Sequence, residues 1–103
     1  MKQPAEHNEE FIHVYTRQQA IEDGVLVQVE PVDSKNTVIT SNLYSDGYED
    51  EAKRETLLQK GQELLKIPDE EDTDTMLLRV IEAEWIWVIE DGDGICFLRP
   101  EDY

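Results

Sequence analysis

Apolar positions along the chain change period several times, and each change marks an element. Val25 to Glu30 reads Val-Leu-Val-Gln-Val-Glu, with Val at 25, 27 and 29, the two-residue period of a strand, and Pro31 is expected to end it. Ahead of it, Phe11 to Tyr15 is a short β-prone run. Thr16 then stands as an N-cap before a helix of one or two turns over Arg17 to Asp23, which Gly24 stops. Ala20 and Ile21 would face the sheet. Residues 1–10 are polar, with Pro4 and three Glu, and read as a flexible arm ahead of a single globular domain over 11–103.

Further along, Asp33 to Asn36 is a turn by composition, Thr37 to Thr40 has strand character, and Ser41 is placed to cap a short helix that Asp46-Gly47 breaks. From Tyr48 the helical signal is the strongest in the chain. Ala52, Leu57, Leu58, Gly61, Leu64 and Leu65 are read as one buried stripe. Glu49, Asp50 and Glu51 fall at the helix N-terminus, where its dipole favours anions, and Pro68 stops it. Gly61 on the stripe predicts close approach of another backbone. Asp69 to Asp74, five carboxylates in six residues, suits neither helix nor strand.

Thr75 to Glu90 is too long for one ordinary strand, so either a bent strand or two strands meeting near Glu82 to Glu84 is expected. Asp91-Gly-Asp-Gly94 has hairpin-turn chemistry, and Ile95 to Arg99 should pair back against Trp85 to Ile89. Trp85 and Trp87 would share one strand face, with the core the expected place for both. The fold class predicted is α+β: a small antiparallel sheet with a C-terminal β-hairpin, packed against one main amphipathic helix plus a short N-terminal helix.

Composition narrows the class. Hydrophobic residues make up 39% of the chain and include two Trp and four Tyr, unlike a disordered acidic segment. The longest apolar run, Trp85 to Ile89, is far below the roughly 20 residues of a membrane span. The acidic start is unlike a signal peptide, so a cytoplasmic protein is expected. Cys96 is the one cysteine, which excludes an internal disulfide and a cysteine zinc site, and it reads as a core thiol.

Catalytic signatures are missing. His7 falls in the arm and His13 in an apolar run, and no HxxxH, HExxH, GxSxG or P-loop spacing occurs. Close carboxylate pairs arise by chance among 25 acidic residues and carry no acid-base argument. Asp91, Asp93 and Asp102 match positions 1, 3 and 12 of an EF-hand loop, but Cys96 stands where glycine is required. Neither an enzyme nor a cofactor is expected, and the 69–74 loop reads as solvated.

Charge changes the picture most. Against 25 Asp and Glu stand 9 Lys and Arg, a net charge of −16, which favours a basic protein partner and argues against direct nucleic-acid binding. A 12.0 kDa monomer exposes roughly 6,000 Å², or about one net charge per 375 Å². B-DNA carries roughly one per 107 Å² of its surface. Any likeness to a phosphate backbone must therefore come from clustering.

The candidate binding residues are those in clusters: Asp46, Glu49, Asp50 and Glu51; Asp69, Glu70, Glu71, Asp72 and Asp74; Glu82 and Glu84, on one strand face; and Glu90, Asp91 and Asp93 at the hairpin tip. Lys53, Arg54, Lys60 and Lys66 interrupt the helix, so an acidic stripe would run over loops and sheet.

The run Tyr15-Thr-Arg-Gln-Gln-Ala-Ile-Glu-Asp-Gly-Val-Leu-Val27 resembles the opening of an uncharacterised family of small bacterial proteins of plasmids, phages and other mobile elements. Gly94-Ile-Cys-Phe-Leu-Arg-Pro-Glu-Asp102 is similar to that family's closing strand and tail. The resemblance implies a mobile-element setting and an α+β fold without an assigned activity. With the charge, it leads to the expectation of an acidic interaction protein that binds a basic surface of a host defence or nucleic-acid-handling protein, nucleic-acid mimicry being one route. The alternative is a small accessory or oligomer-forming domain whose charge only serves solubility, with Trp85 and Trp87 as its interface and a homo-oligomer left open.

Overall fold

The computed structural model describes residues 16–102; the expected arm over 1–10 and the run Phe11 to Tyr15 lie outside the described residues. The Thr16 hydroxyl accepts the Gln19 N–H at 3.1 Å, and the Gln19 side chain accepts the Thr16 N–H at 2.9 Å. This capping box opens helix α1 (Arg17–Glu22). Strands β1 (Leu26–Val32) and β2 (Lys35–Thr40) follow, joined by Asp33 and Ser34 at φ of 54° and 65°. Two positive φ values in a two-residue connection give a turn that follows the twist of its strands.

Pro31 does not end β1. The register slips between Val29 and Val32, and Pro31 sits in that irregularity on an edge strand, where a missing N–H is tolerated. Val32 beyond it returns to the core. Thr40, not Ser41, caps the short α2 (Ser41–Leu43), its hydroxyl accepting the Leu43 N–H at 3.3 Å. A π-type turn over Tyr44–Tyr48 then breaks at Asp46 and Gly47. The main helix α3 (Glu51–Leu65) starts after Asp50, whose carboxylate accepts the Lys53 N–H at 2.9 Å.

The remaining strands are β3 (Met76–Ile81), β4 (Ile86–Asp91) and β5 (Gly94–Leu98), closed by a 3-10 turn over Pro100–Asp102. Of the two arrangements open for residues 75–90, two strands form. Residues 82–85 make the turn between them, and Trp85 lies in that turn at φ 58° with 57% exposure, outside the strand and the core where it was expected.

The sheet order is β1-β2-β5-β4-β3, mostly antiparallel, with β2 and β5 parallel. That one pair departs from the predicted antiparallel sheet. After β2 the chain crosses through α3 and returns by the β3–β4 hairpin, and the last hairpin inserts β5 between β4 and β2. Such a crossover is what a parallel neighbour requires.

Register aligns Ile39 with Phe97, Phe97 with Val88, and Val88 with Arg79 across the sheet. Residues directly opposite share a face, and this face carries the core, where Ile39, Val88, Ile86, Ile95 and Phe97 pack with Leu57 and Leu58 of α3 and with Leu43 and Tyr48. Ala52, expected on the buried stripe, is exposed. It lies five positions before Leu57, and the residue a turn before Leu57 and Leu58 on the same face is Arg54. Gly61 is close-packed, but against the Phe97 ring and not a backbone.

The opposite face carries α1, through buried Ala20 and half-buried Ile21, over the β1–β2 side. Cys96 alternates away from Ile95 and Phe97 and is half-buried there, not in the core. The fold is α+β, as the sequence predicts.

Candidate acidic interface

Antiparallel pairing of β3 and β4 sets Met76 opposite Asp91 and Leu77 opposite Glu90, so the 69–74 loop that enters β3 is carried to the tip of the β4–β5 hairpin. Asp74, Met76, Glu90 and Asp91 line one groove of about 360 Å³. Asp69, Glu71, Asp72, Met76 and Leu78 line a second of about 330 Å³. Two of the predicted acidic clusters therefore meet.

Arg79 organises the loop. Its side chain is 8% exposed, and its guanidinium grips both Asp72 oxygens, Nη1 to Oδ1 at 2.7 Å and Nη2 to Oδ2 at 2.8 Å. Nε donates to the Leu64 carbonyl at 3.1 Å and Nη2 to that of Ile67 at 2.8 Å. One planar fork thus ties the α3 C-terminus, the acidic loop and β3 together. The bond from Arg79 holds the Asp72 carboxyl below the usual carboxylate range. Asp69 accepts the Glu71 N–H at 2.9 Å, and Asp72 accepts the Asp69 N–H at 3.2 Å.

The hairpin tip is partly neutralised. Glu90 pairs with Lys35, and Asp91 lies 3.6 Å from the Arg17 guanidinium. Asp93 donates its N–H to Asp91 at 2.9 Å. This end of the sheet gathers eight carboxylates, Asp69, Glu70, Glu71, Asp72, Asp74, Glu90, Asp91 and Asp93, around three cations. Glu70, Glu71, Asp74 and Asp93 are exposed without an ion pair among the described residues.

The other predicted residues lie elsewhere. Glu82 and Glu84 fall in the β3–β4 turn and not on a strand face, because β3 stops at Ile81. The Glu84 carboxylate takes Lys60 at 3.1 Å, and its carbonyl takes Arg99 at 3.2 Å. Arg99 also pairs with Asp46. Asp50 serves as a cap, and Glu49 and Glu51 are exposed beside it. Near that helix start Arg54 grips Glu30 in a fork at 2.8 and 2.9 Å, which draws the Glu30 pKa down to about 2.

Asp69–Asp74 and Glu82–Glu84 thus flank opposite ends of β3, roughly 20 Å apart for a strand of this length, while fields at physiological salt reach about 8 Å. The fourteen predicted residues do not form one continuous face.

Sequence reasoning missed Arg79, whose only signal was one cation inside Leu-Leu-Arg-Val-Ile. It also missed Leu78 and Val80, which are 40% and 37% exposed on the outermost strand. Among the described residues no group of three or more His, Cys, Asp or Glu could hold a metal ion, and no helix is long and apolar enough to cross a membrane. Comparison with protein-family models, with curated proteins and with solved structures gave no match.

Proposed function

We propose that the chain is an acidic interaction protein of a mobile genetic element, which binds a basic surface of a host defence or nucleic-acid-handling protein and has no enzymatic activity of its own. The observation that carries this reading is the meeting of the 69–74 loop and the 90–93 tip through the β3–β4 register. Eight carboxylates gathered there repel one another, and that repulsion is relieved when a basic surface covers them. Arg79 supports the reading further, since it orders the loop while leaving Glu70, Glu71 and Asp74 free. The resemblance of the two chain ends supports the mobile-element setting.

Opposite charge steers association and makes it salt-sensitive. The test is capture from host lysate at low salt, with elution by a salt gradient, beside a variant carrying Glu70→Lys, Glu71→Lys and Asp74→Lys. A basic nucleic-acid-binding protein is expected, eluting early with salt, displaced by added DNA and lost in the variant. Capture that persists at high salt or in the variant would overturn the reading.

A second reading, a self-associating accessory domain whose charge serves solubility, is favoured by the 57% exposure of Trp85. Sedimentation as a strict monomer removes it.

A further inference from the structure

We propose that β3 is a strand-addition edge, which takes an extended basic segment of the partner, apolar residues alternating with Lys or Arg, as a sixth strand of the sheet. This inference rests on the basic-partner reading and names how the partner is held. Among the described residues β3 is outermost on its side of the sheet. Met76 directs both its backbone groups away from β4: its N–H donates to Thr73 Oγ1 at 3.0 Å, and its C=O accepts the Thr73 N–H at 3.1 Å.

Alternation along a paired strand then turns the groups of Leu78 and Val80 outward as well. The Leu78 carbonyl accepts Arg79 Nη1 at 3.0 Å, and among the described residues the Leu78 N–H and both groups of Val80 are left open on the edge. The side chains of the same two residues are exposed. A strand laid here would gain main-chain hydrogen bonds and cover that apolar surface together.

The opposite edge is closed to addition by Pro31 and the register slip of β1. β3 has neither device. An inward-facing charge also discourages strand addition, but Arg79 is already saturated by Asp72, Leu64 and Ile67.

Charge decides the occupant. The free edge lies between Glu70 and Glu71 on one side and Glu82 on the other, all exposed and without an ion pair among the described residues. A second copy of this chain would set its own acidic loop against these, with −16 on each protomer. A strand bearing Lys or Arg at alternate positions meets them with the opposite sign.

The test is an amide-resolved NMR titration of the whole chain, at low salt, with a (Lys-Val)4 peptide and with the same peptide N-methylated at alternate valines. N-methylation keeps the charge and removes the strand donors. The expected result is a shift and exchange protection at the Leu78 and Val80 amides, with affinity falling at least tenfold on N-methylation and in Val80→Pro, whose thermal unfolding serves as the fold check. Equal binding of the two peptides to the unaltered protein overturns strand addition and leaves the basic-partner reading standing. Failure of both peptides to bind also overturns it, and the basic-partner reading is then judged by the charge-reversed capture. Self-association lost in Val80→Pro overturns the choice of occupant.

Discussion

The Phe97 ring occupies the space where a Gly61 side chain would stand: a Cβ at Gly61 would lie 2.4 Å from Phe97 Cζ and 2.5 Å from Cε2. Phe97 is fully buried, so the ring would have to shift within the core to admit a methyl group. Alanine at this helix position should gain about 1 kcal/mol of propensity, but overpacking a filled core loses about 1 to 3 kcal/mol. Gly61→Ala is expected to be destabilising in urea denaturation. In a Phe97→Leu background the same change should become neutral or stabilising, and a Gly61→Ala penalty unchanged by Phe97→Leu would show that the ring is not its cause.

Arg79 should be the most sensitive charged residue of the chain. Removing it leaves Asp72 and the carbonyls of Leu64 and Ile67 without their donor, and carbonyls that lose a donor away from water typically cost about 1 to 3 kcal/mol. Arg79→Ala is expected to show a loss of that order and to raise hydrogen exchange through 69–74. Arg79→Lys should restore little, because an ammonium cannot span both Asp72 oxygens.

Acid should weaken the fold through the same kind of contact. The hydrogen bonds from Arg54 draw Glu30 from 4.5 to about 2, and Arg79 lowers Asp72. A carboxylate with a lowered folded-state pKa contributes stability that is present above its unfolded value and lost as pH falls through the folded one. The Glu30 contribution should therefore be complete above about pH 4.5 and vanish towards pH 2. With Glu30 44% exposed, solvent screening keeps it below about 1 kcal/mol. Comparison of the unaltered protein with Glu30→Gln across this window should show a gap that closes on acidification.

Salt should stabilise this protein. Six ion pairs among the described residues are weakened by screening, but with a net charge of −16 the repulsion between carboxylates outweighs them. The melting temperature is expected to rise by several degrees between low salt and about 0.5 M, where the Debye length falls below about 5 Å. A fall would show that the ion pairs outweigh the repulsion.

Cys96 should be slow to react. Burial pushes its thiol up to about 11, so at pH 8 only about one thiol in a thousand is the reactive thiolate. Labelling by a disulfide reagent is expected to run at least tenfold slower than on free cysteine, and to reach the free rate in urea.

Local signals in the chain were enough for much of the fold. Thr16 set the N-cap, Asp46-Gly47 broke the helical run, and alternation and turn chemistry located strands, because each depends on neighbours within a turn or on side-chain period. Even there local signals stopped β1 at Pro31 and put Trp85 in a strand, since whether an edge tolerates proline and where a turn falls depend on what pairs alongside.

The candidate site was legible only as a set of acidic clusters. Charge sign and count belong to the sequence, but which clusters meet is a matter of register. Pairing Met76 with Asp91 joined the 69–74 loop to the hairpin tip, left Glu82 and Glu84 at the far end of β3, and turned Arg79 inward to spend its charge on Asp72. Nothing local encodes the parallel pairing of β2 with β5 either. These features come from contacts between residues far apart in the chain, which form only when burial of the Phe97 face selects one arrangement of the strands.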